Sequence, residues 1–186
     1  MPIQLAIWVI IGACVAVVLW RLAASWNEYR GNRLITCPEN QRPAGVKVDA
    51  VHAAATSLGR HPELRLSTCT RWPEKAGCGQ ECLRQVAASP ADCLVRNILA
   101  KWFEGKSCAT CGRPIEGIFE VGSQPALHLA DNSSVEWTQV PVDQLMETLT
   151  KARPLCFACH MANMLVHEHP ELVLDRSRPI PSRSHR

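Results

Sequence analysis

Two short cysteine pairs are the features of this sequence best suited to chemistry. Cys108 and Cys111 are separated by two residues, as are Cys156 and Cys159, and 44 residues lie between the pairs. Two thiols on one tight turn can bind the same soft cation, and two such turns supply the four ligands of a tetrahedral ion. The spacing therefore predicts a zinc site on these four cysteines. Because four thiolates leave no coordination position for water or substrate, the predicted role of the zinc is structural.

Six further cysteines precede these pairs in the chain, and five of them, from Cys37 to Cys93, lie outside the apolar N-terminal segment. Cys78 and Cys82 are spaced by about one helical turn, and Cys37 and Cys69 lie upstream. These four thiols form a possible second metal site, for zinc or for an iron–sulfur cluster, since both accept four cysteines. The alternative is that they are structural thiols with one reactive pair. Cys93 is interpreted as a core residue.

An apolar N-terminal segment predicts a transmembrane anchor. No charged or strongly polar side chain occurs from Leu5 to Trp20, and these 16 residues span about 24 Å as a helix. Apolar flanks from Ile3 to Trp26 extend the segment to a plausible bilayer span. A cleaved signal peptide normally has basic residues before its apolar run, and residues 1–4 contain none. An anchor is therefore the preferred interpretation.

The basic residues around this segment predict its orientation. Arg21, Arg30 and Arg33 all follow it, and basic flanks favour the cytoplasmic side. The prediction is a single-pass protein of a bacterial inner membrane with its main domain in the reducing cytoplasm. There, the nine cysteines outside the span are expected to be ligands rather than disulfide partners.

The charge distribution gives no sign of a polyanion-binding surface. The formal net charge is +3, and the arginine-rich tail over 175–186 accounts for it. That tail, with its prolines and serines, is predicted to be disordered, and the rest of the chain is neutral. The expected partners are the membrane and an unidentified protein, not nucleic acid. With no Ser-His-acid set, carboxylate pair or phosphate loop, the sequence does not predict an enzyme.

The elements that must position the cysteines indicate an α+β fold. The predicted domains are an anchor (1–32), a mostly helical cysteine-containing lobe (33–105), a zinc-binding lobe (106–174) and the tail (175–186). In the first lobe we expect strands over 33–38 and 44–49, helices over 51–59, 80–88 and 89–104, and an irregular stretch over 64–79. In the second we expect strands over 115–121, 126–129 and 135–140 and helices over 141–151 and 156–169. The helix over 89–104 is expected to bury Leu94, Ile98 and Trp102.

The C-terminal pattern resembles a treble-clef zinc-binding module. Gly112 follows the first pair, as in a zinc knuckle, and the second pair lies at a predicted helix start. Treble-clef proteins have the same order of elements: a knuckle, a strand hairpin and a helix that carries the last ligands. The resemblance covers residues 106–169. It implies a mixed α and β zinc lobe.

Two other interpretations of this region are open. Cys156, Cys159 and His160 match the CxxCH signature of c-type haem attachment, which would make the chain an electron-transfer protein. Treble-clef folds also include HNH nucleases, which need a catalytic histidine beside a metal ion. His128 is the only histidine between the cysteine pairs and lacks the acidic or histidine neighbour of that motif. We interpret His128 as a solvent-facing strand residue.

Several segments resemble a group of uncharacterised bacterial membrane-anchored cysteine-rich proteins. The likeness spans residues 34–176 and implies that the cysteines act together, although it brings no known activity. The segments that carry it are TCPENQRPAGVKVDA, CTRWPEKAGCGQECL, ILAKWFEGKSCATCG and PLCFACH.

Overall fold

Helices and short strands alternate along the described part of the chain, which a computed structural model gives as residues 2–59, 61–75, 77–115, 118 and 124–169. Helices account for 47% of these residues and strands for 17%, so the α+β prediction is confirmed. The predicted tail and most of the predicted strand over 115–121 lie outside the described residues.

The chain divides into two units. The N-terminal unit comprises residues 1–102 together with 141–146, and the C-terminal unit comprises 103–140 and 147–186. The elements of the first, in chain order, are helix α1 (Pro2–Tyr29), strands β1 (Asn32–Thr36) and β2 (Pro43–Val48), helix α2 (Ala50–Thr56), strand β3 (Leu66–Cys69), and helices α3 (Leu83–Ala88) and α4 (Val95–Phe103). The elements that follow in the chain are strands β4 (Ala126–His128) and β5 (Ser134–Glu136), 3-10 turns at Trp137–Gln139 and Val142–Gln144, helix α5 (Leu145–Lys151), strand β6 (Arg153–Leu155) and helix α6 (Phe157–Glu168). Of these, the turn at Val142–Gln144 and the start of α5 belong to the N-terminal unit.

Helix α1 joins the apolar N-terminal segment to the core of the N-terminal unit without a break. Its apolar side chains are exposed along most of its length, and Trp8 and Trp20 are about 70% exposed (72% and 71%). Near its end Ser25 and Tyr29 are buried, and the Ser25 hydroxyl donates a hydrogen bond to the carbonyl of Ala53 in α2, at 3.3 Å. The helix is long and apolar enough to cross a membrane. A signal sequence near an N-terminus can have the same length and composition.

The sheet of the N-terminal unit contains one strand more than the sequence predicts. Its order is β1-β2-β3, with both pairings antiparallel. The third strand lies within the stretch over 64–79 that we expected to be irregular, because pairing with β2 supplies the backbone partners that a four-residue segment lacks by itself. Gly45 of β2 is required where it stands: a Cβ there would lie 2.7 Å from Val142.

Helix α4 begins later than predicted and buries a different face. Residues 93 and 94 pair with the edge of the first sheet instead of continuing a helix: Leu34 donates its amide hydrogen to the Cys93 carbonyl at 2.8 Å. Helix α4 therefore starts at Val95, and Cys93 precedes it. The buried positions are Val95, Leu99 and Phe103. Each lies one residue after a position that was predicted to be buried, and the predicted positions, Leu94, Ile98 and Trp102, are only half-buried. A shift of one residue turns the face by about 100°.

The C-terminal unit is built on a second small antiparallel sheet in the order β5-β4-β6. Strand β6 occupies residues 153–155, between two predicted helices, where no strand was predicted. It pairs with β4, where Leu127 lies opposite Pro154. Helix α6 follows directly and packs on β4 and β5. This sheet therefore fixes both the start of α6 and the loop that carries its first cysteine.

Candidate metal centre

The first cysteine pair lies on a tight turn closed by backbone hydrogen bonds. The Cys108 amide donates to the carbonyl of Arg113 at 2.8 Å, and the Gly112 amide donates to the carbonyl of Cys108 at 2.9 Å. Gly112 has φ +72°, a conformation that glycine adopts without the steric penalty of a Cβ. The turn therefore presents the two side chains of Cys108 and Cys111 on one side, as in a zinc knuckle.

Strand β6 and helix α6 bring the second pair to this turn. The amide of Ala109 donates to the carbonyl of Pro154 in β6 at 2.8 Å. Cys156 is the N-cap residue of α6, and its amide donates to the Cys108 sulfur at 3.3 Å. Cys159 lies in the first turn of the helix. Two stretches of chain that are far apart in sequence are thus joined by backbone contacts around the sulfurs.

The four sulfur atoms are spaced as one tetrahedral ion requires. All four Sγ atoms of this cluster lie within 4.8 Å of one another, and the Cys111 and Cys156 sulfurs are 3.7 Å apart. Metal–sulfur bonds of about 2.3 Å at tetrahedral angles would place sulfurs about 3.8 Å apart. Cys108 is buried, Cys156 and Cys159 are half-buried and Cys111 is exposed. The cluster of Cys108, Cys111, Cys156 and Cys159 can therefore hold a metal ion near the surface.

The thiols of the cluster differ strongly in how readily they ionise. Burial raises the pKa of Cys108, but hydrogen bonds from the amides of Cys156, Cys111 and Thr110 outweigh it and bring that pKa down to about 6. Burial, followed by hydrogen bonds with the neighbouring cysteine side chains, raises the pKa of Cys159 to about 12. The cluster thus accommodates one thiolate readily and resists the last one, chiefly because burial disfavours the charged form of Cys159.

Arg113 belongs to the site and was not identified from the sequence. Its side chain makes a hydrogen bond to Cys111, and this contact, with the charges of Cys111 and Cys156, raises the arginine pKa. The backbone amide of Arg113 also lowers the pKa of Cys111. A dication bound by four thiolates carries a formal charge of −2, so a cation beside it is favourable. The available signal was a basic residue two positions after a CxxC pair.

His160 is placed poorly for an accessible haem ligand. Its side chain is buried, at 2% exposure, and its Nδ1 lies 2.8 Å from the Ser134 hydroxyl of β5. The preceding cysteines, 156 and 159, face the other pair. His128 is half-buried with its Nδ1 shielded from solvent, so this strand residue faces solvent only in part.

The second predicted set of cysteines lines one cavity in the N-terminal unit. Strands β1 and β3 flank β2 and run in the same direction, so their carboxyl ends meet at one end of the sheet. Cys37 directly follows β1 and Cys69 ends β3, while Cys82 is the N-cap residue of α3. With Cys78, these residues line a cavity of about 340 Å³. Among the described residues, these four cysteines do not form a compact group of ligand atoms of the kind that the C-terminal cluster forms.

The cavity thiols also influence one another. Burial, and then the charges of Cys78, Cys69 and Cys37, raise the pKa of Cys82 to about 11. Arg71, another residue that the sequence did not single out, donates from Nη1 to the Cys37 sulfur at 3.0 Å. This guanidinium and the Lys75 ammonium both pair with Glu39 on the rim.

Cys93 and Arg33 lie elsewhere in the N-terminal unit. The Cys93 thiol is half-buried and donates to the Gln85 carbonyl at 3.8 Å, so it is a packing residue outside the cavity. Arg33, one of the three arginines behind the orientation prediction, is fully buried. Its guanidinium donates to the carbonyls of Pro90 and Glu28, and burial lowers its pKa. Arg33 therefore also ties the end of α1 to the segment before α4.

Comparison with known proteins returned no relative: no protein-family model, curated protein or solved structure matches the chain. The chemistry of the two cysteine sets therefore has to be argued from their geometry.

Proposed function

We propose that this chain is a membrane-anchored protein whose C-terminal unit is held together by one structural zinc ion, and that it serves as an interaction or accessory module rather than an enzyme. The observation that carries the proposal is the mutual approach of four Sγ atoms from two separate stretches of chain, all within 4.8 Å. The ligands are Cys108, Cys111, Cys156 and Cys159.

The sulfur spacing favours a single ion over a cluster of irons. An iron–sulfur cluster contains two or more iron atoms, and its four cysteines are divided among them. Cysteines that bind different irons therefore lie further apart than cysteines that bind one ion. Two cysteines that share one iron would also lie close together, but here all four sulfurs lie within 4.8 Å of one another, which fits one atom bonded to all four. Tetrahedral sites with four thiolates are typical of zinc. With all four positions filled, the ion would bind no substrate, and its contribution would be to folding.

The order of elements around the cluster supports the treble-clef likeness. A closed turn carries the first pair, a β4–β5 hairpin follows, and the first turn of α6 holds the last ligand. In such an arrangement the ion takes over part of the role of a hydrophobic core.

The membrane anchor and its orientation are part of the same proposal. Helix α1 supports it by its length and by the exposure of its apolar side chains, since such a surface is stable in lipid. Arg21 and Arg30 after the apolar run favour a cytoplasmic domain at a bacterial inner membrane. The membrane and an unidentified protein are the proposed partners, and kinship with bacterial membrane-anchored cysteine-rich proteins stays a prediction.

Metal analysis of the full chain, purified in detergent, tests the zinc site. We expect a zinc ion that is lost from Cys111→Ser, chosen because this ligand is exposed and its replacement does not disturb packing. Cys93→Ser, a cysteine change away from both sets, should retain the zinc. A wild-type protein that binds no metal, or a Cys111→Ser protein that keeps its zinc, would contradict the assignment. Mononuclear iron in the cluster would be recognised by its visible colour, which zinc lacks.

Alkaline extraction of membranes tests the anchor. A membrane-spanning helix stays with the lipid pellet after extraction, whereas a peripheral protein is released. The mass of the mature chain would reveal cleavage after the apolar segment, as expected of a signal peptide. A reporter fused to the C-terminus should be active only on the cytoplasmic side; activity on the outer side would refute the orientation.

A further inference from the structure

We propose that the cavity of the N-terminal unit binds an iron–sulfur cluster through the thiolates of Cys37, Cys69, Cys78 and Cys82. This site is separate from the zinc site and involves no residue of the C-terminal unit. It would be filled by an inorganic cluster of iron and sulfide, each iron bound by a cysteine sulfur.

The first argument is the convergence of four thiols from four different positions in the fold. One follows β1, one ends β3, one lies in the loop after β3 and one caps α3, and all four face the same cavity. Four thiols that share one cavity are more than packing requires, and apart from the cysteines and Tyr29 the buried members of this core are aliphatic.

The second argument is the spacing of these sulfurs. A single tetrahedral ion needs its ligand atoms about 3.8 Å apart, and the C-terminal cluster meets that requirement without adjustment. The cavity thiols do not form such a compact group among the described residues. They stand around a space of about 340 Å³, which is far more than one ion fills. A wider ligand set around a larger space fits a cluster of several atoms.

The third argument is the chemistry of the cavity wall. Iron–sulfur clusters bound by four thiolates are anionic, and hydrogen bonds to their sulfurs stabilise them. The Arg71 guanidinium donates to the Cys37 sulfur at 3.0 Å, and the backbone amide of Gln80 donates to the Cys78 sulfur at 3.4 Å. Leu66, Ile35 and Trp72 provide an apolar lining, which limits the access of water.

The test is chemical analysis of the full chain, purified in detergent without oxygen from iron-replete cells. We expect a brown protein that contains iron and acid-labile sulfide in equal amounts, in addition to zinc. Zinc alone, iron without sulfide, or disulfide bonds among these cysteines would overturn the proposal. This measurement on the wild-type chain does not depend on whether any variant folds.

Variants then assign the ligands. Cys69→Ser and Cys78→Ser replace half-buried residues, and both should lose iron and sulfide while keeping zinc. Cys93→Ser, a half-buried cysteine of the same unit outside the cavity, should keep all three elements. Sulfide that persists in both ligand variants, or that disappears only in Cys111→Ser, would refute this site. Because zinc and sulfide are counted separately, failure here is distinguishable from failure of the zinc proposal.

Discussion

Replacement of Cys156 by serine should show whether the C-terminal unit is stabilised by a metal ion or by side-chain packing alone. This residue has two roles in the structure: its sulfur lies 3.7 Å from that of Cys111, and its backbone caps α6. The serine variant keeps the backbone and nearly the same side-chain shape but exchanges a soft sulfur ligand for a poorly coordinating hydroxyl. Any large effect therefore reports on the sulfur.

The expected magnitude follows from the small core of the C-terminal unit. Among its described residues, the large apolar side chains that are buried are those of Phe103, Leu127, Leu149 and Leu155. At roughly 2 kcal/mol each, their burial contributes about 8 kcal/mol. A structural zinc ion contributes about 10–16 kcal/mol at neutral pH. The ion would thus stabilise the C-terminal unit more than the burial of these four side chains does. We therefore expect loss of the ion to unfold the unit completely and not only to lower its stability.

Hydrogen exchange measured by mass spectrometry is the suitable assay, because it reports on each unit separately. In Cys156→Ser, the amides of α6 and β4 should exchange as fast as those of an unfolded chain, while the strands of the first sheet keep their protection. Chelation of metal from the wild-type chain should reproduce this pattern, and Cys93→Ser should leave it unchanged. A Cys156→Ser protein with wild-type metal content and wild-type protection of α6 would refute the reasoning.

Three further predictions concern single side chains. Arg113→Gln should release metal to a chelator severalfold faster than wild type at low ionic strength, with a smaller difference at high salt, whereas Arg113→Lys, which keeps the charge, should stay close to wild type. Leu99→Ala should lower the free energy of unfolding of the N-terminal unit by about 2–5 kcal/mol, and Ile98→Ala by less than half as much in the same denaturant titration; equal losses would contradict the observed face of α4. Gly112→Ala should destabilise the metal-bound C-terminal unit by about 1–2 kcal/mol because of its positive φ, whereas Gly59→Ala, at a position without positive φ, should have little effect on thermal unfolding.

The local elements were largely predictable from the sequence. The first two strands, the helix over residues 50–56 and the last helix all occur within a few residues of their expected bounds. Each of these has a local cause, such as the Asp49 side chain that accepts a hydrogen bond from the His52 amide at the start of α2. The two CxxC pairs could also be recognised, because two thiols separated by two residues are a local pattern.

What the sequence could not supply depends on contacts between distant segments. Strands β3 and β6 are short and exist through pairing with β2 and β4, partners that no local pattern identifies. The start of α4 is set by the pairing of residue 94 with Arg33 on β1, so the helix begins at Val95 and not at residue 89. Arg71 and Arg113 were not identified as site residues from the sequence, because their contacts with the cysteine sulfurs form only in the folded chain.

The unbroken course of α1 into the N-terminal unit limits where this protein can act. Because Ser25 and Tyr29 are already buried, no flexible tether separates the exposed apolar stretch of the helix from the folded unit. With its span in a bilayer, the sulfur-lined cavity would stay within a short distance of the headgroups and diffuse only laterally. Any protein that exchanges material with it would have to come to the same membrane surface, so the search for its partners can be confined to membrane fractions.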